Sequence, residues 1–295
     1  MLQILFFIYH RSMVFGLLIC LLPAVLLQGQ TLQGTMFDKV SNAPLPYASV
    51  GIKNRNNGGI ADKHGRFNID LSNIPSSDSI VFSHIGYRSV TFRVGDMDSS
   101  GNVLIYLRRE ERQLNEVVVS AKKDVYIVGM EKYSNRFTGW GDYSSSRGRA
   151  RGLEMIPGKF PIKAVTFLCR IKHNTFDSVK VRLNIFRKNN TAAEFEQVLH
   201  ENIYFTIRKN AKWVAVDVSK YNIVIKDTVV VALEWIDAWT PANRPLEKSH
   251  LFTIALGYTK GYSYQRNTPN ELPSLQQNTE LPVMYFRGHR VGKIK

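Results

Sequence analysis

The sequence predicts an all-β chain, with a small sandwich followed by a larger antiparallel, jelly-roll-like one. Three observations carry this. Apolar and polar residues alternate at period two, at Phe67, Ile69 and Leu71 and again at Val179, Val181, Leu183 and Ile185, which marks half-buried strands. Turn-forming Asn, Asp, Gly and Pro recur about every ten residues, the spacing of a sandwich or barrel. No stretch sustains an apolar period of 3.6. The run AAEFEQVLH at 192–200 is the one place where one or two helical turns are expected.

Residues 1–30 read as a signal peptide. His10 and Arg11 precede an apolar run from Met13 to Leu27, and Gln28, Gly29 and Gln30 follow it. That is the order of an export signal, with cleavage near Gly29 or Gln30. A retained anchor is the alternative, because counting back through 2–9 supplies the roughly 20 apolar residues a span requires. Met13 is a second candidate start. Cys20 follows bulky Ile19 and precedes more apolar residues, which is not the setting of a lipidated cysteine. After cleavage Cys169 alone remains, so no internal disulfide can form. Cys169 alternates with Val165, Phe167 and Ile171 and is expected to be a small buried hydrophobe.

The first sandwich is placed at 31–108. Strands are expected at 31–37, 47–53, 67–71, 79–83, 87–94 and 103–107. Pro44 and Pro46 exclude a central strand between the first two. Asn and Gly at 54–59 suit a turn with positive φ. Asp62 starts a second turn and Gly65 finishes it.

A set of residues in this stretch follows a recognisable order. It runs Gly34, Asp38, Pro44-Leu45-Pro46, Ala48-Ser49-Val50, Gly58-Gly59, Asp62, Gly65, Phe67 and Ser83-His84-Ile85-Gly86-Tyr87. Together these resemble the carboxypeptidase-regulatory-like domain family, the transthyretin-like (prealbumin-like) sandwich common in exported proteins of Bacteroidetes. Met36 and Ala61 depart from the usual Val and Thr, changes a strand and a turn tolerate. The resemblance implies an accessory module in an envelope protein.

Residues 109–132 read as a connection. Its LNEVVVSAKK segment is similar to the one joining such a module to the plug of TonB-dependent receptors, but the chain beyond it is too short for their large barrels. Residues 133–295 read as the second sandwich. Its segments GWGDYSSSRGRARG, FDSVKVRLNIF, WVAVDVSKYNIVI and VALEWID resemble the uncharacterised sandwich that follows this module in some Bacteroidetes envelope proteins, and they import no activity.

The formal net charge is +15, which suits anionic lipid or acidic polysaccharide as partner. The densest basic cluster, 144–152, lacks interleaved aromatics, so nucleic-acid binding is not expected. No HExxH, GxSxG or P-loop occurs among the seven histidines and the glycine-rich turns. Glu234 and Asp237 are sequence neighbours, which gives no evidence of the defined separation that glycosidase carboxylates need. No catalytic residue, metal ligand or cofactor is assigned. Trp235 alternates with Leu233 and Val231 and belongs to the core. Trp239 and Tyr262, with Asp237 and Arg244, form a candidate glycan-binding set, flat aromatic faces beside groups that satisfy hydroxyls. The expected function is a non-enzymatic envelope protein, exported to the periplasm, outer membrane or cell surface. It binds an envelope protein or, alternatively, a polysaccharide, and meets the membrane through its signal segment or a partner.

Overall fold

The computed structural model describes residues 31–98, 101–110, 124–140, 146–188, 195–240, 251–271 and 273–291. The signal-peptide reading of 1–30 and most of the connection lie outside them. The described residues belong to one compact unit, Thr31–Lys295. The all-β class holds, with two successive sandwiches.

The first sandwich contains β1 (Thr31–Asp38), β2 (Ser49–Ile52), β3 (Gly58–Ile60), β4 (Arg66–Asp70), β5 (Ser79–Ser83), β6 (Val90–Arg93) and β7 (Asn102–Leu107). They form two sheets, β4–β1–β7 and β3–β2–β5–β6. Alternation sets the inward faces, so Leu32, Met36, Val50, Ile52, Phe67, Ile69, Ile80, Phe82 and Ile105 meet in one core. The turn chemistry acts as expected. Asp62 Oδ1 accepts the N–H groups of His64 and Arg66, and Gly65 takes a φ of 75°. The sequence reading missed β3, because its two glycines look like turn residues.

Buried Asp38 closes this sandwich. Its carboxylate accepts the N–H groups of Ser41 and Val40, the Tyr87 hydroxyl and Arg109 Nε. These bonds, led by that from Ser41, hold its carboxyl well below the usual range, against the opposing effect of burial. The end of β1 is thereby tied to the turn after β5.

The second sandwich contains β8 (Val125–Gly129), β9 (Phe137–Gly139), β10 (Ala150–Met155), β11 (Ile162–Asn174), β12 (Ser178–Lys188), β13 (Phe195–Gln197), β14 (Ile203–Arg208), β15 (Trp213–Asp217), β16 (Val224–Ile225), β17 (Val229–Trp239), β18 (Phe252–Arg266), β19 (Ser274–Pro282) and β20 (Met284–Arg290). The central order is β13–β12–β17–β10–β18–β11–β20–β8. Long strands β11 and β18 are interrupted by register shifts at Ala164/Thr166, Ile171/His173 and Tyr258/Gly261. Bulges bend strands, and the sheet encloses one core holding Phe167, Cys169, Val181, Leu183, Trp235, Phe252 and Phe286.

Three local outcomes differ from the pattern alone. Val165 falls at a bulge and is half-buried, while Ala164 and Phe167 point inward. Phe195–Gln197 is a strand rather than a helical turn, because Phe195 packs on Phe186 and Tyr264 and the segment pairs with β12; 191–194 lie outside the described residues. β8 lies within 109–132 and pairs with β20, so part of the expected connection is sandwich.

The two sandwiches meet through backbone. A Cβ on Gly51 or Gly58 would overlap the Pro269 carbonyl oxygen, and one on Gly86 would overlap that of His200. Arg147 Nε reaches the Ile236 carbonyl at 3.2 Å and its Nη2 the Ala61 carbonyl at 3.4 Å. Asn270 Nδ2 donates to the Val81 carbonyl at 3.1 Å. Gly86 also has a φ of 85°, which costs any other residue strain. Gly86→Ala is expected to lose about 2–4 kcal/mol of stability in urea unfolding. Gly59→Ala, with nothing within 4 Å of the added carbon, should change the midpoint little.

Candidate functional site

β12, β17, β10 and β18 place alternate residues on the face turned away from the second core. The registers Arg182↔Glu234, Glu234↔Ala150 and Ala150↔Arg266 build a cross-strand row of two arginines around one carboxylate. Glu234 is fully buried. Its Oε2 lies 2.8 Å from Arg182 Nη2 and accepts Asn184 Nδ2 at 2.9 Å, and its Oε1 lies 3.2 Å from Arg266 Nη2. Burial alone opposes the charge on Glu234, but Arg182 and Arg266 outweigh it and hold its carboxyl below the ordinary range.

Arg182 also reaches the first sandwich. Its Nη1 donates to the Tyr47 carbonyl and its Nη2 to Ser49 Oγ, both at 3.1 Å. Lys180 Nζ sits 4.6 Å from the Tyr47 ring centre, and Tyr204 packs edge-on against that ring. Beside this row a cleft of about 830 Å³ opens between the sandwiches, walled by Ser83–Ser89 on one side and by Gln197, Leu199 and His200 on the other. His84 lines it. Burial first, then the charges of Arg182 and Arg109, push its pKa down to about 3, so the ring is neutral.

A second surface lies on the opposite face, outside β15–β11–β20–β8. Trp213 and Tyr133 are 40% and 53% exposed. The Arg170 guanidinium stacks 3.6 Å from the Tyr133 ring centre and 5.4 Å from Trp213. Tyr285 packs edge-on against Trp213, and Arg287 lies 5.5 Å from the Tyr285 ring. Val125 and Ile127 of edge strand β8 extend the exposed apolar surface.

The expected glycan set is not brought together. Trp239 and Tyr262 are both exposed. However, Glu234 and Arg266 share the partner Ala150. Trp239 lies beyond Glu234 along β17 and Tyr262 lies on the other side of Arg266 along β18, a separation on the order of 30 Å along the strands. Asp237 is half-buried and its Oδ1 accepts the Ala238 N–H. Arg244 lies outside the described residues. Trp140 is buried against Phe252 and donates to the Arg149 carbonyl. Trp235 and Cys169 are core residues, and burial pushes the Cys169 thiol up to about 12. Among the described residues no group of three His, Cys, Asp or Glu is placed to hold a metal ion. The charged row was open to parity: Arg182 and Glu234 stand out of phase with their apolar neighbours. Trp213 carried no such signal until its neighbours in space were known.

A family model described as the CarboxypepD_reg-like domain matches residues 32–119. The first sandwich is of that type. No curated protein matches the chain. Among solved structures the chain is similar to the cysteine protease and lectin-like domains of a surface-layer-associated protein of Clostridium difficile. The identity is 8% and the TM-score 0.36, over 57% of this chain and 36% of that one. A likeness of that size carries no argument, and this chain spans little more than a third of that protein.

Two outcomes test the joint. Glu234→Gln leaves Arg182 buried beside a neutral partner and should cost about 3–5 kcal/mol in urea unfolding, while Arg182→Met with Glu234→Leu should recover most of it. An unfolded histidine titrates near 6.5. Between there and about pH 3 the unfolded chain binds a proton that folded His84 refuses, so stability falls on acidification, by about 2 kcal/mol at pH 5. His84→Gln should lose that part of the difference between unfolding curves at pH 7 and pH 5.

Proposed function

We propose that the chain is a non-enzymatic, exported envelope protein that docks a partner protein on the outer face of β15–β11–β20–β8. Exposed Trp213, Tyr133 and Arg287, with Arg170 partly exposed and Tyr285 buried beneath them, support this best. Trp, Tyr and Arg dominate the few residues that carry protein interfaces, and an exposed apolar face rimmed by polar groups marks an interaction surface. Stacking on Tyr133 holds Arg170 in place, which lowers the ordering cost of binding. The first sandwich supports the reading from the other side, as a CarboxypepD_reg-like module fixed to the larger body rather than a site of chemistry. The groups best suited to chemistry are engaged: Glu234 is clamped by Arg182 and the Cys169 thiol is held protonated by burial. Location in the periplasm, outer membrane or cell surface rests on the residue order of 1–30.

Glycan binding is the second reading. The cleft between the sandwiches, polar and closed on two sides, favours it more than Trp239 and Tyr262 do. The test of the first reading is co-purification from solubilised envelope fractions, with the captured protein identified and its affinity measured. Trp213→Ser with Tyr133→Ser should weaken binding by about 2 kcal/mol or more, some thirtyfold, with the unfolding midpoint unchanged. Equal binding by that variant would place the partner elsewhere.

A further inference from the structure

Three residues lining the cleft carry unmet hydrogen-bonding capacity. Among the described residues, Glu234 Oε1, Arg266 Nε and His84 Nδ1 are buried without a hydrogen-bond partner, and all three residues line the cleft. Glu234 Oε1 lies in ion-pair range of Arg266 yet accepts no hydrogen bond. His84 Nε2 accepts the Asn202 amide at 3.0 Å. In the neutral ring the proton therefore sits on Nδ1, a donor facing no acceptor. Orphaned buried polar atoms are rare in folded proteins, and here one acceptor and two donors belong to residues that line the same cleft.

The rest of the lining narrows the ligand. Among the described residues, four basic and four acidic side chains line the cleft, so it favours no net charge. Its volume of about 830 Å³ lies within the range of small-molecule sites. A hydroxyl both donates and accepts, and so answers Glu234 Oε1 and the two N–H donors alike. Phe186, Phe195 and Tyr264, also in the lining, form an aromatic cluster, an apolar surface beside the polar groups.

We propose that this cleft binds a neutral saccharide, whose hydroxyls donate to Glu234 Oε1 and accept from Arg266 Nε and His84 Nδ1. The proposal rests on the glycan reading and gives it a site other than Trp239 and Tyr262. The test is calorimetric titration of the full chain with glucose, galactose, mannose, maltose and cellobiose. Saturable binding is expected for at least one of them. Ser89→Trp, on the exposed wall of the cleft, and Arg266→Gln should each weaken it about tenfold or more, while Trp239→Ala leaves it unchanged. Should Arg266→Gln fail to fold, Ser89→Trp decides alone. Binding that survives Ser89→Trp but is lost in Trp239→Ala would keep the glycan reading and overturn the cleft. Binding of none of the five sugars would overturn the cleft proposal, and failure of an affinity gel carrying longer polysaccharides to retain the chain would remove the glycan reading as well.

Discussion

Arg182 and Glu234 form an ion pair in which one partner is wholly buried and the other nearly so. Charges pay heavily in lost hydration when buried, and a bare pair rarely recovers that cost. This pair recovers it through additional bonds: Asn184 and Arg266 serve the carboxylate, and the Tyr47 carbonyl and Ser49 hydroxyl serve the guanidinium. Two of those groups belong to the first sandwich. The charged row lies on the outer face of the second sandwich, and the first sandwich docked over it supplies Arg182 with two acceptors. The two sandwiches are consequently one unit with a specified orientation.

That orientation depends on small residues as much as on charge. Gly51, Gly58 and Gly86 bring the first sandwich close enough for backbone to meet backbone, and Arg147 and Asn270 then bridge the joint. A joint of this kind leaves little play between the two bodies. The cleft beside it is accordingly pre-formed, which favours binding because little ordering remains to be done on association. The outer face bearing Trp213 lies on the other layer of the second sandwich, so the two surfaces can serve different ligands.

Much of the architecture was legible because a strand carries its environment in its alternation. Phe67, Ile69 and Leu71 revealed β4, and Val179 to Ile185 revealed β12. Asp62 and Gly65 announced a turn whose bonds are local. Where local chemistry and long-range packing disagreed, packing won. Gly58 and Gly59 read as turn but pair with β2, and Phe195 reads as helical but is drawn into a strand by Phe186 and Tyr264. Trp239 and Tyr262, grouped because both sit near loops, stand far apart because β17 and β18 run in the same direction on either side of β10.

The sequence by itself determined the all-β class, the small first sandwich with its domain type, and the burial of Cys169 and Trp235. These follow from period-two alternation and from turns whose bonds close within a few residues. Only the tertiary structure decided which outward-facing residues meet. Arg182, Glu234 and Arg266 come from three strands far apart in the chain, and Arg170, Trp213 and Tyr285 from three others, joined by Tyr133 from the loop after β8. Their meeting depends on strand order and register, which no local pattern encodes, and two of Arg182's acceptors come from the docked first sandwich.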